Sequence, residues 1–149
     1  MKLIPLFLIL ILLLSCKKEE TTHNKFNLLN NSGVVVKVLP TSSMTDTLLL
    51  ANNASKEFEF PVERGLGTGD NYAFFADSKP VIVVFNNSDT IIHYFDTLTH
   101  TGRYYKSNSP RSFYNTSSYG KDMVNNSKYT RTVTLKYTFT AQDYLDAKK

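Results

Sequence analysis

RTVTLKYTF, residues 131–139, alternates between apolar and polar side chains at nearly every position. The apolar set is Val133, Leu135, Tyr137 and Phe139, with Thr134, Lys136 and Thr138 between its members. Successive side chains of an extended strand point to opposite faces. The stretch therefore predicts a strand with one face in a hydrophobic core and the other toward solvent.

Other short runs rich in Val, Ile, Phe and Tyr are separated by polar turn clusters, which predicts further strands. In KEFEF, residues 56–60, Phe58 and Phe60 are expected to face inward, with Glu57 and Glu59 outward. Val81–Phe85 is apolar at every position and is expected to be a central strand. The predicted strands, besides residues 131–139, are Lys25–Leu29, Val34–Leu39, Thr47–Leu50, Lys56–Phe60, Tyr72–Phe75, Val81–Phe85 and Thr90–Phe95.

Asparagine-rich clusters separate these runs, at residues 30–33, 52–55, 86–89 and 125–128. Asn tolerates positive φ and bonds its own backbone, so it favours tight reversals. FNLLNNSGVVVKV, residues 26–38, and VVFNNSDTIIHYF, residues 83–95, are both expected to form hairpins. The pattern predicts an all-β fold, an antiparallel β-sandwich of immunoglobulin-like or related type. Thr140 is expected to cap a short C-terminal helix that runs through Ala147.

The amino-terminal apolar run LIPLFLILILLL, residues 3–14, is 12 residues long. As a helix it would be about 18 Å long, whereas a bilayer core is about 30 Å thick. Lys2 before the run and Ser15 after it are typical of a secretory signal peptide. A buried first element of the domain is the alternative, but the run lacks the polar interruptions of such an element. We expect residues 1–15 to be a signal peptide.

Leu13-Leu14-Ser15-Cys16 resembles the lipobox of bacterial lipoproteins, with Leu14 where Ala or Ser is more usual. The resemblance implies cleavage before Cys16, a diacylglycerol on its thiol and acylation of the new amino group. Cys16 is the only cysteine of the chain, so no second thiol exists to pair with it. Two or three acyl chains, including palmitate, would hold the protein firmly on a membrane.

Cys16-Lys17-Lys18-Glu19-Glu20 resembles the export signal of Bacteroidetes surface lipoproteins, which implies display at the cell surface through Lys18, Glu19 and Glu20. A plain solvated tether and a periplasm-facing position on the outer membrane remain the alternative. Residues 16–24 are expected to be the lipidated cysteine and its flexible tether. Residues 25–149 are expected to form a single sandwich domain.

The sequence offers no candidate catalytic residue, metal site or cofactor site, and we expect no enzyme activity. GLGTG, residues 65–69, lacks the Lys-Ser/Thr and the helix start of a phosphate loop. His93, Asp96 and His100 are close in sequence, but a closed zinc site needs a fourth ligand. We therefore interpret His93 as a strand residue.

Residues 103–136 combine many cations and tyrosines with a single acid, Asp122. Such a set suits an acidic glycan, since cations and aromatic planes both contact charged sugars. Nucleic acid is not expected for an exported protein. A long solvated loop whose tyrosines lie on the sandwich is the favoured alternative. The candidate ligand-binding residues are Arg103, Tyr104, Tyr105, Lys106, Arg111, Tyr114 and Tyr119.

Thr47, Thr90 and Thr97 each follow an aspartate and precede Leu or Ile. These triplets resemble the sites that Bacteroidetes use for O-glycosylation of exported proteins. Ordinary turn chemistry, with Asp closing a loop and Thr starting a strand, is the alternative. The sequence as a whole predicts a lipid-anchored structural or partner-binding module, or alternatively a glycan-binding accessory lipoprotein that uses residues 103–136.

Overall fold

The computed structural model describes residues 20–40, 46–59, 63–64 and 79–149. These residues form ten strands, one turn of 3₁₀ helix at Thr116–Ser118 and a C-terminal helix. The bounds are β1 Thr21–Asn31, β2 Val36–Val38, β3 Leu48–Leu50, β4 Ser55–Glu59, β5 Glu63–Arg64, β6 Val81–Phe85, β7 Asp89–His93, β8 Tyr104–Tyr105, β9 Gly120–Ser127, β10 Thr130–Thr140 and α1 Ala141–Lys148.

The strands form two sheets that face each other as a sandwich, as the sequence predicts. The first sheet has the order β4-β1-β10-β9, with β5 beside the start of β1, and the second has the order β3-β2-β6-β7-β8. The sheets are mixed rather than purely antiparallel, because β1 pairs in parallel with β10 and β7 with β8. Parallel strands cannot be joined by a tight turn. In both pairs a longer stretch of chain separates the two strands, which allows them to run in the same direction.

The inner faces of the two sheets build the core. In β10, Val133, Tyr137 and Phe139 are buried and Leu135 packs against the core, which confirms the alternation of RTVTLKYTF. The position of β6 in the middle of the second sheet confirms the expectation from its continuous apolar run. Phe58 packs partly against the core, while Glu57 and Glu59 are exposed.

One of the two expected hairpins forms. Strands β6 and β7 pair antiparallel around Asn86 and Asn87, whose φ angles are 49° and 63°. Two consecutive residues with positive φ make the turn that best matches the twist of a hairpin. The hairpin expected at residues 26–38 is wrong, because β1 and β2 belong to different sheets.

A buried asparagine fixes the place where the chain passes between the sheets. Asn30 is fully buried, and its Nδ2 lies 2.7 Å from the carbonyl of Val34, 2.9 Å from that of Leu50 and 3.0 Å from that of Ala51. Its Oδ1 accepts from the backbone N–H of Ser32 at 3.0 Å. The connections from β1 to β2 and from β3 to β4 therefore meet at one corner, held by one carboxamide.

The structure differs from the sequence prediction in the start of β1 and in the segment of residues 103–136. Because β1 begins at Thr21, the tether expected to reach residue 24 ends earlier. The segment expected to be a long loop within residues 103–136 contains β8, the 3₁₀ turn and all of β9. All eight residues of β9 are exposed, so this strand has no burial period for the sequence to show. Phe60 and the strand expected at residues 72–75 lie outside the described residues.

The C-terminal helix forms where the sequence predicts it. Thr140 is its N-cap, and the Asp143 carboxylate accepts from the Thr140 N–H at 2.7 Å and from its hydroxyl at 2.9 Å. Asp143 is almost fully buried, and Ala147 packs into the core. The helix therefore lies against the sandwich rather than projecting from it.

Candidate binding surface

The candidate ligand-binding residues separate into an inward set and an outward set. Strand β8 pairs with β7, and the N–H of Tyr94 donates to the carbonyl of Tyr105 at 2.8 Å. The Tyr105 hydroxyl lies 3.2 Å from Asp143 Oδ1 and 2.9 Å from Asp146 Oδ2. Burial, followed by the charges of these carboxylates, raises the pKa of Tyr105. Tyr105 thus remains a protonated donor that attaches α1 to the second sheet.

Arg111 and Arg103 also donate hydrogen bonds to α1. The Arg111 guanidinium donates from Nε to Asp143 Oδ1 at 2.9 Å, contacts Asp143 Oδ2 with a terminal nitrogen, and reaches the carbonyl of Thr138 at 2.6 Å. Such a two-pronged pair satisfies a buried carboxylate. Arg103 donates to the carbonyl of Ala147 in the last turn of the helix. These two cations have internal partners and are not simply presented to solvent.

The hydroxyls of Tyr119 and Tyr114 also donate to groups within the domain. The Tyr119 hydroxyl donates to the carbonyl of Phe113, and its ring packs edge-on against Phe26 at 5.4 Å between ring centres. Burial raises the pKa of Tyr119 well above its usual value. Tyr114 donates to the carbonyl of Lys79. Both tyrosines contribute to the structure of the sandwich.

Tyr104 belongs to a different group, which lies toward the surface. The rings of Tyr94 and His100 stack with centres 3.5 Å apart and planes 6° from parallel. Tyr104 meets both edge-on, at 5.9 Å from Tyr94 and 5.5 Å from His100. We call these three rings the Tyr94 cluster. Each of the three residues is half-buried, so part of the cluster is accessible to solvent.

Polar groups border the Tyr94 cluster. Asp96 Oδ1 lies 2.7 Å from His100 Nε2 and accepts from the N–H of Leu98 at 3.0 Å. The hydrogen bond to His100 is the main cause that lowers the pKa of Asp96, with smaller contributions from the Leu98 N–H and the charge of Lys106. Lys106 Nζ lies 3.4 Å from the Thr99 hydroxyl. Exposed apolar side chains adjoin the group, with Phe95 exposed by 45% and Leu98 by 65%.

Rings edged by a carboxylate and an ammonium can stack on a sugar and bond its hydroxyls. Sequence reasoning identified Tyr104 and Lys106 but missed Tyr94 and His100 as their neighbours. It weighed the spacing of Asp96 and His100 only as a metal motif. The signal that could have found the cluster is a tyrosine at each end of one short loop, Tyr94 and Tyr104, with His100 between them.

His93 is a strand residue, as expected, and is buried among aromatic rings. It stacks on Phe113 at 4.1 Å and meets Tyr105 and Tyr137 edge-on. Its Nδ1 accepts from the N–H of Phe113 at 3.1 Å. Burial, with a smaller contribution from the charge of Arg111, lowers the pKa of His93 to about 3. Across the described residues, no group of three or more His, Cys, Asp or Glu side chains is placed to hold a metal ion.

The glycosylation candidates differ in exposure. Thr47 and Thr97 are exposed, whereas Thr90 is half-buried within β7. Asp96 bonds the N–H of Leu98 two residues on. This is the local turn chemistry of aspartate, so Asp96-Thr97-Leu98 has a structural role whether or not Thr97 is modified.

Of the residues expected to direct export, only Glu20 is described; Cys16, Lys18 and Glu19 lie outside the described residues. Glu20 Oε1 lies 3.4 Å from Arg131 Nε, which also donates to the Thr22 hydroxyl at 3.1 Å. Glu20 is therefore attached to the first sheet. Within the described part of the chain, no helix is long and apolar enough to cross a bilayer.

A scan against protein-family models and a search of curated proteins both found no match to this chain. Among solved structures, an intradiol ring-cleavage dioxygenase from Tetranychus urticae is similar over 85% of this chain and 84% of its own, with 13% identity and a TM-score of 0.27. A likeness this weak carries no argument about fold or activity.

Proposed function

We propose that this chain is an exported lipoprotein, anchored through Cys16 in the outer membrane and displayed at the cell surface, whose sandwich domain is a non-catalytic binding module. The observation that carries the proposal is the position of the only cysteine, separated from a short apolar run by Ser15 alone and placed five residues before β1. An apolar run of this length with a cleavable end favours a signal over a membrane span.

Binding is favoured over catalysis by the way that acids are used in the described fold. Asp143 and Asp146 are brought together, but both accept from Tyr105, and Asp143 also pairs with Arg111. These contacts hold α1 against the sandwich. Asp96, next to the Tyr94 cluster, lies on a loop edge where it can bond a ligand.

Replacing the cysteine tests the anchor. Cys16→Ala is expected to abolish incorporation of labelled fatty acid and to move the protein from the membrane fraction to the soluble fraction, since the thiol is the site of the lipid. Lys17→Ala is the matched control and should remain acylated and membrane-bound. Membrane retention of Cys16→Ala with its signal cleaved would refute the anchor.

Display is tested in the same strains with protease added to intact cells. Lys18→Ala with Glu19→Ala is expected to protect the protein from the protease by retaining it in the periplasm. Glu20 is left unchanged because it contacts Arg131 and its loss would also disturb the fold. Equal resistance of the parent and the double variant would place the protein in the periplasm.

Glycan recognition is the second candidate function, and the Tyr94 cluster is the observation that favours it. The stacked pair and Tyr104 offer apolar ring surface, Asp96 offers an acceptor, and Lys106 offers a cation for an acidic sugar. The site is smaller than the segment expected from the sequence, because Arg103, Tyr105 and Arg111 have internal partners.

An acidic-polysaccharide array with the purified protein tests this second candidate. Tyr104→Ala is expected to weaken binding at every salt concentration, because ring contacts are not screened. Lys106→Ala is expected to weaken it chiefly at low salt, since the screening length is about 30 Å at 0.01 M and about 8 Å at 0.15 M. Tyr129→Ala, in the turn between β9 and β10 of the other sheet, is the matched control. A folded protein that binds no acidic glycan at low salt would exclude glycan recognition.

A further inference from the structure

The start of β1 and the turn between β9 and β10 lie side by side at one end of the first sheet. The parallel register begins with Thr21 opposite Thr130, and the N–H of Thr21 donates to the carbonyl of Tyr129 at 2.7 Å. Strand β5 pairs at the same level, with Arg64 opposite Thr21. We call this part of the molecule, which includes Lys128 and Tyr129, the β1-start end.

The tether leaves this end little freedom to move away from the anchor. Four residue steps separate Cys16 from Glu20, which allows a span of at most about 14 Å. The contact of Glu20 with Arg131 ties the far end of the tether to β10. Strand β1 then continues for 11 residues, so its last residue, Asn31, is about 33 Å from its first. An acyl chain on Cys16 therefore holds the β1-start end near the bilayer and leaves Asn31 far from it.

The turn at the β1-start end carries the two residue types that a membrane surface favours. At the β1-start end, Lys128 is exposed, with its Nζ 5.4 Å from the centre of the Tyr129 ring. At the opposite end, the loops at residues 30–34, 51–54 and 86–88 contain no charged side chain, and the lysines of the helix that follows β10 are accompanied by Asp143 and Asp146. Lysine is attracted to anionic headgroups, and tyrosine is favoured where an apolar body and a polar tip meet the interface.

We propose that the Lys128–Tyr129 turn is a second membrane contact, which binds the phosphate-bearing headgroups of the lipid surface and sets the orientation of the sandwich. This inference rests on the proposed anchoring at Cys16. The lipid holds the chain at the membrane, while the turn determines which end faces it. The corner at Asn30 and the β6–β7 turn would then point away from the bilayer.

Tryptophan quenching in membranes tests the contact, because the chain contains no tryptophan of its own. The lipidated mature protein, which begins at Cys16, is reconstituted into vesicles of phosphatidylethanolamine and phosphatidylglycerol with brominated acyl chains. Tyr129→Trp places a probe in the turn, and Asn31→Trp, at the exposed far end of β1, is the matched control. The fluorescence of the Tyr129→Trp protein is expected to be quenched several-fold more strongly. Adding Lys128→Glu should remove most of that difference.

The outcomes distinguish a failure of the membrane contact from a failure of the anchor. Equal quenching of the two probes in a protein that carries its acyl chains would overturn the membrane contact and leave the anchor intact. Quenching of the Tyr129→Trp protein that Lys128→Glu leaves unchanged would overturn the role of the headgroup phosphate. If the protein purified from cells carries no acyl chain on Cys16 and does not associate with the vesicles, both the anchor and the membrane contact are overturned. Circular dichroism of each variant shows that the sandwich is folded before its fluorescence is compared.

Discussion

His93 shows how one residue links the core to the stability of the molecule. The imidazole is buried between Phe113, Tyr105 and Tyr137, and its Nδ1 accepts a backbone hydrogen bond. A proton on that nitrogen would remove the acceptor and place a charge near Arg111. The pKa of about 3 in the folded protein follows from this burial, whereas an unfolded chain has a histidine pKa of about 6.5.

Acid is therefore expected to destabilise the protein through His93. The stability from this residue is complete above pH 6.5 and is lost as the pH falls toward 3, because the unfolded chain takes up the proton first. The free energy of unfolding should fall by about 1.4 kcal/mol per pH unit in that window. Urea unfolding at pH 6.5 and pH 5 measures the change.

His93→Gln is the comparison for the acid prediction, because its side-chain oxygen can accept from the N–H of Phe113 without titrating. The variant is expected to be less stable overall, since the ring stack is lost. Its free energy of unfolding should nevertheless fall by about 2 kcal/mol less than that of the parent between pH 6.5 and pH 5. An equal fall in both proteins would show that His93 does not titrate as described.

At the level of elements, the corner at Asn30 joins four strands. β1 pairs with β4 in one sheet and β2 pairs with β3 in the other. The connections β1–β2 and β3–β4 therefore cross between the sheets side by side. Gly33, with a φ of 86°, donates its N–H to the Asn52 side chain, and the Asn53 N–H donates to the carbonyl of Asn30. Polar bonds rather than apolar packing hold this crossing.

Asn30→Ala is expected to lower the free energy of unfolding by about 3 kcal/mol, because it leaves several buried polar groups without a partner. Asn31→Ala is the matched control, since Asn31 is the same residue type at the next position but is exposed. It should change the free energy of unfolding by less than about 0.5 kcal/mol. Urea unfolding of both variants gives the comparison. Similar values for the two would show that the carboxamide of Asn30 does not hold the corner.

Across the whole molecule, the parallel pair β1–β10 gives the sandwich two distinct ends. The tether and the β9–β10 turn lie at the end where both strands begin. The Asn30 corner follows the end of β1, and α1 follows the end of β10. If Cys16 is acylated as proposed, the first end would face the membrane, and the corner and helix would face away. The same pairing thus links the proposed anchor to the orientation in which any ligand would meet the domain.

Local sequence patterns determined several of the strands, the β6–β7 turn and the C-terminal helix. The alternation in residues 131–139, the apolar run of β6, the paired asparagines of the β6–β7 turn and the Thr140 cap each depend on neighbouring residues alone. They predicted a sandwich with a C-terminal helix. The same kind of local reasoning gives the expectation of lipidation at Cys16, since a short apolar run and one cysteine suffice to suggest it.

Contacts between residues distant in sequence determined the rest. β1 lies beside β10 although about a hundred residues separate them, and β9 has no buried face to mark it as a strand. Arg111 turns inward because Asp143, 32 positions later, is a buried carboxylate that requires a cationic partner. Tyr94 meets Tyr104 because β8 returns alongside β7. A side chain's partner, and so its availability to a ligand, depends on which strands become neighbours, and only the tertiary structure decided that.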